Sequence, residues 1–229
     1  GDDQYENFHE DIIPPSCLLA YDAFAPQPWL HAPSARANVW GEPKDTTFHL
    51  RGHRAAAKAL AQDLLTEGFD VSYAYKPLHH DLGHAFLNTV LFLDYDRQGF
   101  DHPIVPFQVN CYGSKVIRNR GGSEEFSTEP DPPGPSPRRR MEVGAATARA
   151  LRESPWRVAM IASSSWSHAF LTEKTCWLHP DMEADRARFH EFRNADWDAW
   201  RRLTTPQIEA SGQQEMLNWF CLAGAMEAL

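Results

Sequence analysis

The sequence predicts an α/β fold of three layers, a mostly parallel or mixed central sheet with helices on both faces. Three observations point there. Short apolar runs alternate with helix-period segments along most of the 229 residues, which is the rhythm of strands joined by crossover helices. Polar clusters follow several of those runs directly, where open α/β sheets place their ligands. Hydrophobic residues make up 42% and charged residues 23% of the chain, a globular balance that argues against disorder. A chain of this length can bury a full core, and one domain over 1–229 is the default reading.

The elements follow in order. Asp2 to Ile13 reads as a loop, and Pro14-Pro15 sets an extended entry into the strand-like run Ser16 to Tyr21. A Pro-rich polar loop comes next. From Gly52 to Glu67, Ala56, Ala59, Leu60 and Leu64 fall at helical spacing, and Gly68 suits the left-handed residue that ends a helix. Val71 to Tyr75 alternates like a strand, completing a βαβ unit. Leu78 to His84 is a histidine-dense loop before the apolar helical run Ala85 to Leu93. Ile104 to Val109 reads as a buried strand.

Gly113 to Pro137 is a Gly-, Pro- and charge-rich insertion, long enough to act as a lid. Ser136 or Pro137 then opens a helix carrying Met141, Val143, Ala145, Ala146, Ala148 and Leu151. Val158 to Ala162 reads as the next strand, followed by the polar elbow Ser163 to His168. Asp181 to Leu203 is a charged helical stretch, and Gln213 to Met226 an amphipathic helix. The polar opening GDDQYENF and the apolar pattern still running at Leu229 lead us to expect further segments on both sides.

Charge and cysteine usage narrow the function classes. A net charge of -9 leaves an acidic surface, which disfavours a general nucleic-acid binder because phosphate attraction needs a basic face. Arg138 to Arg140 is too short a basic run to reverse that and reads as a solvated helix start. No stretch of about 18 apolar residues occurs, so no membrane span is expected. Cys17, Cys111, Cys176 and Cys221 are scattered without a C-x-x-C pair, which predicts reduced thiols and a cytoplasmic location.

Three polar clusters follow apolar runs: Asp2 to Glu6, His79 to His84, and Ser163 to His168. The third is the sharpest. It puts His168 at a strand end among small serines and Trp166, leaving room for a substrate beside Ser167. An imidazole there can move a proton near neutral pH, because its ordinary pKa is about 6.5; a hydrogen-bonded structural histidine is the alternative. Ser165 or Ser167 as a hydrolase nucleophile is the weaker reading, for the G-x-S-x-G elbow is missing and spacing identifies no acidic partner.

His80 and His84 would share a helical face, a spacing that can bind metals. The segment nevertheless reads H-D-L-G-H where a zinc protease needs H-E-x-x-H. A substrate-binding role for this pair ranks above ligation. Glu215 lies just inside an otherwise apolar helix, where it is either a surface glutamate at a helix start or a buried carboxylate that needs a cation.

Taken together, these segments resemble the class III extradiol ring-cleaving dioxygenases, the LigB-type family of the protocatechuate 4,5-dioxygenase β subunit. The likeness runs through GDDQYENFHEDIIPP, RGH at Arg51 to His53, LGHAF around His84, IVPFQVN, PSPRRRMEVG, SSSWSH and SGQQEMLNWFCLAGAM, in that order. It implies a LigB-like fold and Fe(II), or another divalent metal, held by two histidines and a glutamate, with positions left open for a catechol-like aromatic and O2. Both oxygen atoms would enter the ring as it opens, in the catabolism of aromatic compounds.

By this likeness His168 is the acid-base residue, His84 a histidine that bonds substrate or oxygen, and Glu215 the carboxylate ligand. It also implies a homo-oligomer or pairing with a small partner subunit. Gln4 stands where the family has a ligating histidine, and a neutral amide is a weaker ligand than imidazole. His9, Asp2 and Asp3 are the neighbouring candidates. The competing expectation is a relative without iron chemistry, serving as a binding or partner subunit or as a metal-independent enzyme.

Overall fold

The computed structural model describes residues 14–26, 41–43, 45–75, 82, 84–111 and 134–229. The chain divides into two compact units, one on 2–61 and 71–108 and the other on 62–70 and 109–229.

The first unit is organised by β1 (Ser16–Leu19), whose four residues are all buried. β4 (Ser72–Ala74) pairs parallel to it, Cys17 facing Ser72 and Leu19 facing Ala74. β5 (Phe107–Val109) takes the other side, so the order is β4-β1-β5. A strand paired on both edges suits an uninterrupted apolar run. β2 (Ala23–Pro26) and β3 (Thr47–Leu50) form a separate antiparallel pair. Those two strands fall where the sequence reads as loop.

α1 (Arg54–Thr66) buries Ala57, Leu60, Ala61 and Leu64 at the spacing of one helical face, and Gly68 follows it at φ +84. Cys17, Leu19, Tyr21, Leu50, Leu87 and Val90 make this unit's core. The last two come from α2 (His84–Leu93).

The second unit is helical. α3 (Pro137–Arg152) starts where Ser136 accepts a hydrogen bond from the Arg139 N–H, with proline in its first turn. α4 (Met182–Arg193) is capped by Asp181 and α5 (Trp197–Arg202) by Asp196. The single helical stretch expected over Asp181–Leu203 breaks at Ala195, which takes a left-handed conformation at φ +54. α6 (Thr205–Ala210) and α7 (Leu217–Ala228) complete the unit.

α3 and α7 meet through glycine. A Cβ on Gly144 would stand 1.7 Å from the Cys221 carbonyl oxygen, and one on Gly224 would stand 2.0 Å from that of Met141. Since 141 pairs with 224 and 144 with 221, the helices cross antiparallel with backbones in direct contact. Met141, Trp200, Ile208, Met216 and Phe220 pack the adjoining core, with the Trp200 and Phe220 rings 4.6 Å apart.

This architecture corrects the expected three-layer sheet and the LigB-like fold. Among the described residues helices dominate, and the larger sheet holds three strands of three or four residues. Val158–Ala162, read as a core strand, is irregular backbone with Val158 and Ile161 exposed. An apolar β-branched run becomes a strand only where a neighbour takes up its N–H and C=O groups. The carbonyls at its end are taken by side chains instead.

Among the described residues no helix is long and apolar enough to cross a membrane. All four cysteines are free, with Cys176 exposed and the others buried. Burial pushes the Cys17 thiol up to about 11, against a backbone hydrogen bond at Ala74, and the Cys221 thiol up to about 12, against the pull of Arg140. Thiolate is the reactive form. A disulfide reagent at pH 8 is therefore expected to label Cys176 in the folded chain and to reach Cys17 and Cys221 only on unfolding. Peptide mapping of the labelled sites checks this, and labelling of Cys221 as fast as Cys176 contradicts it.

Candidate functional site

The segment 162–168 is held by side chains rather than by a sheet. Trp219 Nε1 donates to the Ala162 carbonyl at 3.2 Å and Asn218 Nδ2 to the Ser163 carbonyl at 3.0 Å. Ser164 Oγ donates to the Glu215 carbonyl at 2.8 Å. The start of α7 and the short 3-10 turn Gln214–Met216 before it thus grip the elbow at successive positions.

His168 is fixed by its backbone. Its N–H donates to the Gly212 carbonyl at 2.9 Å, and its carbonyl accepts from Thr172 Oγ1 at 2.7 Å. Gly212 sits at φ +67, and a Cβ there would stand 2.5 Å from Thr172 Oγ1 and 2.9 Å from the His168 carbonyl oxygen. Only glycine permits this approach without strain.

The side chains that converge are His168, Ser165 and Glu215. Ser165 Oγ donates to Glu215 Oε2 at 2.7 Å and lies 3.2 Å from His168 Nε2. Nε2 stands 3.7 Å from Glu215 Oε1, and the two side chains are 23% and 30% exposed, so solvent or a ligand can reach them. One hydroxyl proton cannot serve both neighbours. While it goes to Glu215, Nε2 must carry a proton and donate to Ser165; if it turns to Nε2, the imidazole holds its proton on Nδ1.

Nδ1 is buried and has no hydrogen-bond partner among the described residues. The carboxyl pKa of Glu215 is lowered: burial works to raise it, and nearby positive charge, that of His168 included, together with the Ser165 hydrogen bond outweighs burial.

Aromatic rings border this relay. Phe170 lies edge-on to His168 at 5.0 Å, and Trp166 meets Trp219 at 4.8 Å and Phe189 at 6.3 Å. Trp166, Phe170 and Phe189 are all partly open to solvent.

Asp185, in the first turn of α4, binds the neighbouring residues. It accepts from the Ser167 N–H at 3.0 Å and Ser167 Oγ at 2.7 Å. Gln213 Nε2 gives it a third bond at 2.8 Å.

Of the residues singled out in the sequence, His168, Glu215, Ser167 and Trp166 lie in the helical unit, and the first two are neighbours. Ser167 turns to Asp185 and Trp166 to the aromatic group. His84 begins α2 in the other unit, and its side chain is not described. Gln4 and His80, with Asp2, Asp3 and His9, lie outside the described residues, as does most of the insertion expected at Gly113–Pro137.

Ser165 entered the sequence reading only as a weak nucleophile candidate. Its two partners lie 3 and 50 positions away. Asp185 was not singled out, since nothing in a charged helix marks one acid among several.

The expected iron centre finds no support here. A facial site needs two histidines and a carboxylate on one point, and among the described residues no group of three or more His, Cys, Asp or Glu could hold a metal ion.

No family model matches the chain. A gallate dioxygenase of Pseudomonas putida is 24% identical over 198 residues, covering 84% of this chain and 51% of that protein. The chain thus spans about half the length of the curated relative it matches. A likeness at this level is a distant, partial homology to a LigB-type, gallate dioxygenase-like protein, and so to an enzyme family.

Proposed function

We propose that the chain binds a hydroxylated aromatic molecule beside Trp166 and Phe170 and exchanges a proton with its hydroxyl group through Glu215, Ser165 and His168, without iron chemistry. The observation that carries this reading is the Ser165 hydroxyl placed between carboxylate and imidazole. Carboxylate and imidazole together can hold or release one proton, and the hydroxyl between them turns to whichever neighbour needs it. The proton lost from the ligand oxygen passes to the pair, and the resulting oxyanion keeps the Nε2–H and Ser165 O–H as donors.

Exposed rings next to the relay offer an apolar face for an aromatic ligand to stack on. The gallate dioxygenase likeness supports a ligand of the same chemical class.

Titration of the full chain with gallate in the presence of a metal chelator, followed by calorimetry and ultraviolet absorption, tests this. Saturable binding is expected, with the ultraviolet absorption of bound gallate shifted toward that of its phenolate because the hydroxyl proton passes to the pair, and His168→Ala is expected to remove that shift. Absence of binding, or binding only after Fe(II) is added back, overturns the reading.

A further inference from the structure

We infer that Asp185 is a positioning residue that sets the geometry of the His168–Ser165–Glu215 relay. This rests on the relay reading above. The relay is built from two chain segments, 163–168 and 212–216, and neither belongs to a sheet that would fix their separation. The Asp185 carboxylate binds both. Its Oδ1 takes the Ser167 N–H and Gln213 Nε2, and its Oδ2 takes Ser167 Oγ. Ser167 directly precedes His168, and Gln213 stands two residues before Glu215.

The two segments touch again where the His168 N–H meets the Gly212 carbonyl. Asp185 therefore closes a bracket around the pair without touching Ser165, His168 or Glu215 side chains. Ser167 and Gln213 are 7% and 1% exposed, so water is poorly placed to replace these bonds. The carboxylate is carried by the first turn of α4. The Gln213 amide is oriented by this demand: its nitrogen faces Asp185 while its oxygen lies 2.9 Å from Ser211 Oγ.

Histidine-labelled full-length chain, followed by nitrogen-edited NMR of the imidazole N–H signals, tests the inference without any assumed substrate. In the native chain the His168 Nε2–H is expected as a hydrogen-bonded, slowly exchanging signal. Asp185→Ala is expected to speed its exchange with solvent by about tenfold, at a pH and temperature where melting curves show the variant folded. Asp185→Asn keeps an oxygen for the Ser167 and Gln213 N–H groups and a nitrogen that can donate to Ser167 Oγ, so it is expected to restore most of the protection. Should Asp185→Ala fail to fold, Ser167→Ala removes one of the three bonds and is expected to raise exchange severalfold.

Unchanged exchange in the folded Ala variants, or an Asn variant as fast as Asp185→Ala, overturns the positioning role. Ser165→Ala separates this from the relay itself. If the signal is lost in Ser165→Ala and kept in Asp185→Ala, the relay stands and the inference about Asp185 falls. If Ser165→Ala leaves the signal unchanged, the relay reading falls.

Discussion

Replacing Gly144 with alanine is expected to lower the stability of the helical unit by about 2 kcal/mol or more. Helix propensity pulls the other way, since alanine in a helix interior is favoured over glycine by about 1 kcal/mol. The contact decides the sign. A Cβ at 144 would lie 1.7 Å from the Cys221 carbonyl oxygen, and that atom belongs to the backbone of α7 and cannot rotate away. The helices must separate, and the buried residues between them, including Met141 and Phe220, lose contacts that a closely packed interior does not restore.

Forcing atoms into a packed core costs about 1–3 kcal/mol and sometimes more, and rigid backbone on both sides puts this case at the upper end. Gly224→Ala meets the Met141 carbonyl in the same way. The two changes share one interface, so the double variant should lose less than the sum of the singles. Urea unfolding followed by circular dichroism checks these expectations. A midpoint for Gly144→Ala at or above that of the native chain would mean that α3 and α7 do not approach as closely as described.

Local sequence rules read some parts of this chain well, for identifiable reasons. β1, α1 and β4 were legible because an apolar run, a 3.6-residue period and a terminal glycine agree with one another at Ser16–Leu19, Arg54–Thr66 and Gly68. The start of α3 was legible because Ser136-Pro137 combines a cap with a residue whose missing N–H costs nothing there. Val158–Ala162 misled because β-branched residues express a preference for a pleated, half-buried surface, and that surface must be supplied by another strand. Here Trp219 and Asn218 supply donors from a helix instead.

The same limit holds at the site. His168 and Glu215 each stood out by local context, but their contact depends on Gly212 turning left-handed and on Asp185 holding Ser167 and Gln213. The Asp185 ties join residues 18 and 28 positions apart, and no periodicity records them. The iron expectation travelled with the family likeness. A likeness carries a ligand set only where each ligand is present, and Gln4 already departs from it in the sequence.

Loss of the His168 imidazole is expected to slow proton exchange on a bound hydroxylated aromatic by about 10²–10⁴-fold, the usual share of a positioned acid-base group. Exchange of the ring hydrogens of gallate for deuterium in heavy water gives the readout, because a ring hydrogen exchanges through the phenolate and a proton returned to carbon. The variant should remain folded. His168 holds its neighbours through its backbone N–H and carbonyl, which His168→Ala retains, and its ring is partly exposed.

Ser165→Ala removes the hydroxyl between the pair and leaves Nε2 and Oε1 3.7 Å apart, close enough to share charge and too far to share a proton. Its rate should fall between those of the native chain and His168→Ala. Glu215→Gln keeps an oxygen for the Ser165 hydroxyl and loses the proton acceptor, so it should behave like His168→Ala in rate and like the native chain in stability. A His168→Ala variant that exchanges deuterium at the native rate would remove the imidazole from the chemistry, and one that melts early would make it a structural residue instead.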